Sequence, residues 1–330
     1  MGTPLLEIKN LKKYFPAGKD RSGNALTVKA MDGIDLCVEQ GEILGLVGES
    51  GCGKSTLGKT ILKLLKATDG EILFHGEDIT KYNENQMRPL RKKIQIIFQD
   101  PYASLNPKKT IEQSVTAPLN VAGKLSREEK RSKVIDILKE VGLGEQYLKK
   151  YPHEMSGGQR QRVVIARALV NDPELVICDE PVSALDVSVR SQVLNLLKDL
   201  QKKRNLTYIF ISHDLSVVEY LCDRIVVMYL GRIMEYADKR ALYQNPLHPY
   251  TQALLSAIPI PDIHQKKSEI ILEGELPSPL HPPKGCLFCT RCRYAEERCR
   301  EERPVLHAVA DKDGAEHRIA CFLYDEKEQN

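Results

Sequence analysis

Apolar and polar residues alternate along Leu5–Asn10 and Leu26–Val38, the period-two pattern of strands with one buried face. Between them lies Pro16-Ala17-Gly18-Lys19-Asp20-Arg21-Ser22-Gly23-Asn24, which composition predicts as a loop. The pattern then changes. Ile43–Val47 is a short unbroken apolar run, the kind a strand buried on both faces needs. Lys54–Leu65 has few breakers and predicts a helix, and Thr68-Asp69-Gly70 turns into a strand over Glu71–His75. Further apolar runs at Ile94–Phe98, Leu175–Cys178 and Tyr208–Ile211 alternate with helical stretches: residues 108–150, Gln159–Val170, and one ending near Lys202. Ile225–Tyr229 and Arg232–Glu235 around Gly231 predict a hairpin. Strands alternating with helices imply an α/β protein with a parallel sheet, here with an antiparallel β edge at the start. There is no internal repeat and no low-complexity tract.

Composition narrows this modestly. The chain has 330 residues, 42% of them hydrophobic, enough for one large domain and a smaller one. With 48 basic and 45 acidic residues the formal charge is +3, which does not demand a nucleic-acid partner. The charge run Ser126–Lys133 predicts a solvated helix face. No apolar run nears the roughly 18 residues of a membrane span, and Met1–Phe15 lacks a signal-peptide core. A cytoplasmic location is expected. Disulfides are then unexpected, so Cys37, Cys52, Cys178 and Cys222 are read as small buried side chains.

The chemistry concentrates at Gly48-Glu49-Ser50-Gly51-Cys52-Gly53-Lys54-Ser55, which matches G-x-x-x-x-G-K-[ST] between a strand and a helix. Its glycines let backbone N–H groups turn inward around phosphate oxygens, and the helix N-terminus adds partial positive charge. Lys54 is expected on the β- and γ-phosphates, the Ser55 hydroxyl on Mg²⁺, and Thr56 follows on the same helix. Ser156 and Gln159 have capping-box spacing, so Ser156-Gly157-Gly158-Gln159 opens a second glycine-bearing helix, either a bare cap or another anion site. Asp179 and Glu180 end a buried strand, where open α/β sheets bind ligands, and strand geometry would put them on opposite faces. Asp186 follows in Ser183-Ala184-Leu185-Asp186, and His213 ends the next strand as a candidate γ-phosphate contact. Tyr14 and Phe15 are placed either to stack on a nucleotide base or simply to pack.

Together these motifs resemble the ATP-binding subunit of an ABC transporter over roughly residues 5–240. Gly48–Ser55 looks like Walker A, Gln99 the Q-loop glutamine, Ser156–Gln159 the signature motif, Leu175–Glu180 Walker B, Ser183–Asp186 the D-loop, and His213 the switch histidine. Met155 stands where Leu is usual, still apolar. Gln99-Asp100-Pro101-Tyr102-Ala103-Ser104-Leu105-Asn106-Pro107 and Pro246–Leu255 resemble the dipeptide/oligopeptide permease branch, its second ATPase subunit, with the nickel importers sharing both features.

The resemblance implies a P-loop ABC ATPase with a RecA-like core, an α-helical insert over about 100–170, a nucleotide-binding domain over 1–258 and a small Cys-rich C-terminal domain over 259–330. It implies ATP and Mg²⁺ as cofactors, Mg²⁺ on Ser55, Gln99 and Asp179, Glu180 as general base, and His213 orienting the attacking water. It implies a head-to-tail dimer in which Ser156–Gln159 meets the ATP of the other subunit, a paralogous ATPase or a second copy. Two transmembrane permease subunits and, indirectly, an extracytoplasmic peptide-binding protein complete the assembly, which puts this chain at the cytoplasmic face of the membrane. For the adenine the family alignment favours Phe15 over its neighbour Tyr14. A soluble ABC ATPase acting on nucleic acid and an ATP-using redox regulator are the competing classes.

Five cysteines cluster late: Cys286, Cys289, Cys292, Cys299 and Cys321. Their spacing is neither a zinc knuckle pair nor a ferredoxin run, yet clustered thiols in a cytoplasmic chain favour metal over disulfides. The permease resemblance implies Cys286, Cys292, Cys299 and Cys321 as ligands, with Cys289 as alternative, for a [4Fe–4S] cluster or Zn²⁺.

Overall fold

The computed structural model describes residues 4–19, 22–122, 125–258, 270–309 and 316–325. The strands are β1 (Pro4–Lys19), β2 (Ala25–Glu39), β3 (Ile43–Val47), β4 (Asp69–Phe74), β5 (Glu77–Asp78), β6 (Ile94–Ile97), β7 (Leu175–Asp179), β8 (Thr207–Ile211), β9 (Arg224–Tyr229), β10 (Arg232–Asp238), β11 (His307–Val309) and β12 (His317–Ile319). The first six helices are α1 (Lys54–Ile61), α2 (Glu84–Lys93), α3 (Pro101–Ser104), α4 (Ile111–Ala122), α5 (Arg127–Glu140) and α6 (Gly157–Leu169). The rest are α7 (Val187–Arg204), α8 (Leu215–Leu221), α9 (Lys239–Gln244), α10 (Pro249–Ser256) and α11 (Glu297–Glu301). None of these helices is long and apolar enough to cross a membrane.

The chain divides into two compact units. The first takes in Val38–Ile43 and His75–Ile211, with the first few residues of the chain. Here β6, β7 and β8 run parallel, with Ile94 opposite Leu175 and Leu175 opposite Thr207. All five residues of β7 and of β8 are buried, which is why the sequence shows unbroken apolar runs rather than alternation. α4 packs on α5 and α6. The Ser126–Lys133 charge run does lie on a helix face: α5 buries Val134, Ile137 and Leu138 and turns its charged first turns outward. Its start is fixed by a reciprocal cap, Glu129 N–H donating to Ser126 Oγ at 3.2 Å and Ser126 N–H to Glu129 Oε2 at 2.7 Å.

The second unit takes in Leu6–Cys37, Leu44–Phe74 and Ser212–Asn330. β1 lies between β2 and β4, antiparallel to β4, with Leu6 opposite Phe74 and a register shift between Lys9 and Lys12. β1 runs on to Lys19, through the Pro16–Lys19 stretch that composition predicts as loop. Pairing with β2 overrides the local breakers, and Pro16 is tolerated because it is exposed. β3 pairs in parallel with β9, Leu46 opposite Val226. The expected hairpin at Gly231 is formed by β9 and β10, Arg232 opposite Tyr229.

C-terminal residues extend this arrangement. β12 adds to β10, Glu235 opposite Ile319, and β11 adds to β12. A fully buried carboxylate anchors the addition. Glu235 accepts from the Leu247 N–H at 2.8 Å and the His248 N–H at 3.0 Å, and pairs with His317 Nε2 at 2.7 Å. The described residues from 270 on thus group with Gly48–Ser55 in one unit. The expected domain start at 259 lies outside the described residues.

Candidate functional site

β3 delivers the loop. Its buried run ends at Val47, and Gly48 and Gly53 then take φ of 146° and 107°. A Cβ on Gly48 would lie 2.1 Å from the Met228 carbonyl oxygen, and one on Gly53 2.3 Å from that of Ala30. Both clashes are with backbone, so no side chain can yield, and glycine is required on steric and conformational grounds together. Lys54 opens α1 with its side chain buried; its Nζ donates to the Gly48 carbonyl at 2.7 Å and the Glu49 carbonyl at 3.0 Å. A cation is thereby stationed inside a ring of backbone groups, at a helix N-terminus. Ser55 and Thr56 follow, half-buried. Ser50 and Gly51 are exposed at the loop's crest. The Cys52 thiol is buried, and burial pushes its pKa up despite the adjacent Lys54, so it is no nucleophile.

Hydrogen bonds tie this loop to β2. The Gly231 N–H donates to the Cys52 carbonyl at 2.9 Å, and the Asp32 N–H to the Gly231 carbonyl at 3.0 Å. The Asp32 side chain accepts from the Tyr14 hydroxyl. Burial and this carboxylate raise the Tyr14 pKa to about 12, so the phenol stays protonated. Lys29 Nζ lies 5.4 Å from the Tyr14 ring centroid, and Lys13 Nζ lies 4.7 Å from that of Phe15. Neighbours on one strand face opposite ways, so Tyr14 and Phe15 cannot both face a base. His213 is exposed in the same unit, between the buried Ser212 and Asp214, whose carboxylate caps α8 through the Ser216 N–H at 3.0 Å.

The first unit holds the remaining candidates. Asp179 ends β7 and is buried. The expectation that strand alternation sets Asp179 and Glu180 on opposite faces needs correction. Glu180 has left the strand for φ 48°, a left-handed conformation that costs a non-glycine residue free energy. Its N–H donates to the Ile211 carbonyl at 3.1 Å, and its carbonyl accepts from Ser183 Oγ at 3.0 Å, which holds the turn. Gln99 Nε2 donates to Glu180 Oε2 at 3.0 Å, so these two candidate residues meet.

The Ser156–Gln159 start of α6 is the reciprocal cap that its spacing predicts. The Gln159 N–H donates to Ser156 Oγ at 3.4 Å and the Ser156 N–H to Gln159 Oε1 at 3.0 Å. Ser156 is exposed, and Gly157 and Gly158 are half-buried. Behind it the buried Arg160 donates to the Pro152 carbonyl at 2.6 Å and stacks 3.8 Å from the Tyr102 ring centroid. Asp186 stands at the N-terminus of α7 without a side-chain cap bond.

The metal expectation for the cysteines is overturned. Among the described residues no group of three or more His, Cys, Asp or Glu side chains is arranged to hold a metal ion. Cys286, Cys289, Cys292, Cys299 and Cys321 line a cavity of about 20 Å³ together with Phe288, Tyr294 and Phe322. That is room for about one water molecule, far short of a [4Fe–4S] cluster. Burial pushes the Cys286 thiol up to about 11 and Cys321 to about 12, and raises Cys289 and Cys292 as well.

One group of residues beside the loop escapes sequence reasoning. Arg291 Nη1 lies 3.0 and 2.9 Å from the two carboxylate oxygens of Glu49. The Glu49 N–H donates to the Tyr250 hydroxyl at 2.9 Å. Arg303 donates to Asp32 at 3.2 Å. These pairs are 242, 201 and 271 residues apart, beyond any periodicity. Arg291 also falls between Cys289 and Cys292, where cysteine spacing draws the eye.

A family model described as ABC transporter matches residues 31–183, and one described as Oligopeptide/dipeptide transporter, C-terminal region, matches residues 234–299. The oligopeptide transport ATP-binding protein AppF of Bacillus subtilis is 52% identical over 327 residues, 97% of each chain. The dipeptide transport ATP-binding protein DppF of Escherichia coli is 49% identical, over 98% of this chain and 96% of that one. Among solved structures, the ATP-binding cassette MJ0796, dimeric in a post-hydrolysis state with ADP and Pi, is 31% identical with a TM-score of 0.64. That likeness covers 71% of this chain and 99% of the cassette. CbiO1 of Clostridium perfringens, part of the complex cbiONQ, is 32% identical at the same TM-score of 0.64, over 74% of this chain and 92% of its own.

Proposed function

This chain belongs to the ABC transporter family, and on that premise we propose that it is the ATP-hydrolysing subunit of an importer for di- and oligopeptides. One observation carries the choice of branch. The two solved cassettes named above leave more than a quarter of this chain unmatched, whereas the peptide-transport relatives AppF and DppF match 97% and 98% of it. The match of residues 234–299 to the family model described as Oligopeptide/dipeptide transporter, C-terminal region, supports the same branch, and we take residues 259–330 as an extension beyond a nucleotide-binding domain over 1–258 with its helical insert at about 100–170.

The residues fit ATP and Mg²⁺. Gly48 to Ser55 brings a buried lysine and a hydroxyl to a helix N-terminus, groups that a Mg²⁺-nucleotide requires. Lys54 and the loop amides hold phosphate oxygens. By the family resemblance Ser55 and Gln99 would hold Mg²⁺, with Asp179 in its outer shell, and the metal would supply charge neutralisation at the phosphates. Glu180 polarises the attacking water, and the Gln99 contact at 3.0 Å keeps that carboxylate placed. His213 orients water and phosphate. Phe15 or Tyr14 covers the adenine. Ser156, Gly157, Gly158 and Gln159 engage the nucleotide of a partner ATPase subunit, paralogous or identical, with Asp186 at that interface. Closing and reopening of the pair drives two permease subunits from the cytoplasmic face of the membrane, where the chain is peripheral, and a peptide-binding protein outside delivers the cargo.

The test is reconstitution in vesicles with permease and partner subunits. ATP turnover that rises when peptide-loaded binding protein is added outside supports the reading. Turnover that answers to Ni²⁺ but not to peptides moves the chain to the nickel branch, and release of ATP turnover by DNA or RNA overturns transport altogether.

A further inference from the structure

The residue after the first glycine of the phosphate loop is held from both sides by the C-terminal region. On the side-chain side, Arg291 places Nη1 against both oxygens of Glu49, at 3.0 and 2.9 Å. The guanidinium is 10% exposed and the carboxylate 28%, so water screens the pair less than it would at the surface. On the backbone side, the Tyr250 hydroxyl takes the Glu49 N–H at 2.9 Å.

These two holds share one foundation. Phe288 is buried and packs against Tyr229 at 5.4 Å and Tyr250 at 5.3 Å between ring centroids. The Arg291 N–H donates to the Phe288 carbonyl at 3.0 Å, so the turn bearing the guanidinium is anchored by that ring. Tyr229 ends β9, and Tyr250 sits in α10. Rotation of either tyrosine or of the turn would disturb Glu49.

Glu49 is in turn a partner of Lys54, whose Nζ donates to the Glu49 carbonyl at 3.0 Å. A continuous set of contacts therefore runs from Arg291 through Glu49 to the lysine that meets phosphate. Gly48, immediately before Glu49, has φ 146°. A left-handed glycine does not hold its own conformation, because glycine has the most conformational freedom to lose. Glu49 is therefore held by contacts, from Lys54 within the loop and from Tyr250 and Arg291 outside it.

We infer that Arg291 is a positioning residue for the phosphate-binding loop, and that through Glu49 the C-terminal region sets the affinity for ATP. The inference rests on the ATPase reading above. It gives the branch-specific extension a task at the nucleotide site, separate from any contact with permease or peptide.

The experiment measures binding of a fluorescent ATP analogue to the full-length chain and ATP turnover in the reconstituted transporter. Arg291→Met removes the charge and keeps the stem. It is expected to weaken nucleotide binding roughly tenfold, the scale of coupling for side chains in direct contact. KM for ATP rises with it while kcat changes less than about twofold, because the loop's amides and Lys54 still reach the transition state once ATP is bound. Arg291→Lys recovers part of the affinity. Glu49→Gln reproduces Arg291→Met, and the double variant is no worse than either, since each breaks the same contact. Unchanged nucleotide affinity in a folded Arg291→Met chain overturns the inference, as do additive losses in the double variant. A lowered melting temperature with intact affinity assigns the pair to stability alone and also overturns it. If the unaltered chain binds no ATP, the ATPase reading fails instead.

Discussion

The two glycine-bearing helix starts are built alike and finished differently. At Gly48–Ser55 the chain closes over its own loop. Lys54 donates back to two loop carbonyls, Gly231 and Tyr250 grip the backbone, and Arg291 grips a side chain. At Ser156–Gln159 the cap is complete, yet Ser156 is exposed and the two glycines half-buried. A terminus made ready for an anion costs little when it is capped by its own serine and solvated. The lesson is a division of labour. On the proposed function, the unit with Gly48–Ser55 holds nucleotide and the unit with Gln99, Ser156 and Glu180 acts on it.

The sharpest way to break this division is Glu180→Gln. If the first unit acts rather than holds, ATP turnover falls by roughly 10²–10⁴-fold, the worth of a general base, while nucleotide affinity stays within about twofold. The substitution is nearly isosteric and leaves an amide oxygen to accept from Gln99. Steady-state turnover beside equilibrium binding decides it. Substantial residual turnover removes Glu180 from the base role, and a large loss of affinity erases the distinction between units.

Gly53→Ala attacks the other side. Its Cβ would meet the Ala30 carbonyl oxygen at 2.3 Å, at φ 107°. Strain of this kind costs about 1–3 kcal/mol, and the loop must relax away from β2 to relieve it. Nucleotide binding is expected to fall at least tenfold with the far-UV spectrum of the folded chain retained. An alanine variant that binds as the wild type does would show the cradle to be less rigid than its contacts imply.

A pH scan separates the units by stability. His248 is fully buried in the phosphate-loop unit, and burial lowers its pKa from 6.5 to about 4, only partly opposed by nearby Glu235. Its Nδ1 accepts the Tyr250 N–H at 3.0 Å, which requires that nitrogen to be unprotonated. The unfolded chain takes up a proton as pH falls below about 6.5, and the folded chain does not until about 4. Stability therefore falls with acidification across that window, by at most about 1.4 kcal/mol per pH unit, and levels off below it. His248→Asn keeps a cap for Tyr250 and should flatten this dependence in thermal unfolding between pH 4 and 6.5, less only what other groups contribute. An unchanged slope would assign the acid sensitivity elsewhere.

How much was legible in the sequence depends on the range of the contacts involved. The phosphate loop, the Ser156–Gln159 cap and the Gly231 hairpin each lie within a dozen residues, and local spacing carries the physics that makes them. The Glu180 conformation was not legible, because a left-handed residue at a strand end leaves no mark when glycine is absent. The course of β1 through Pro16–Lys19 was hidden too, since breakers are visible locally and the pairing that outweighs them is not. The grip of Arg291 on Glu49 depends on where two distant segments come to rest. The cysteines misled for a related reason. Their spacing describes proximity, but arrangement and room decide whether a metal is held, and among the described residues no such arrangement is present and the cavity is about 20 Å³.

The smallest effect tests whether the exposed cap is a structural device within its own chain or a waiting contact. Ser156→Ala removes one acceptor, the Oγ that takes the Gln159 N–H at 3.4 Å. Losing a serine cap costs about 0.5–2 kcal/mol in general. Here the hydrogen bond is long and the site solvated, so the low end is expected, read as a fall of a degree or two in the melting temperature of the full chain. Nucleotide affinity of the isolated subunit should not move, because the phosphate loop does its holding without this helix. Turnover in the assembled transporter should fall by more than the stability loss explains, since a partner's nucleotide then meets a terminus lacking its hydroxyl. Equal, small losses in both would make Ser156 a cap and nothing further, and the two helix starts would differ in finish without differing in task.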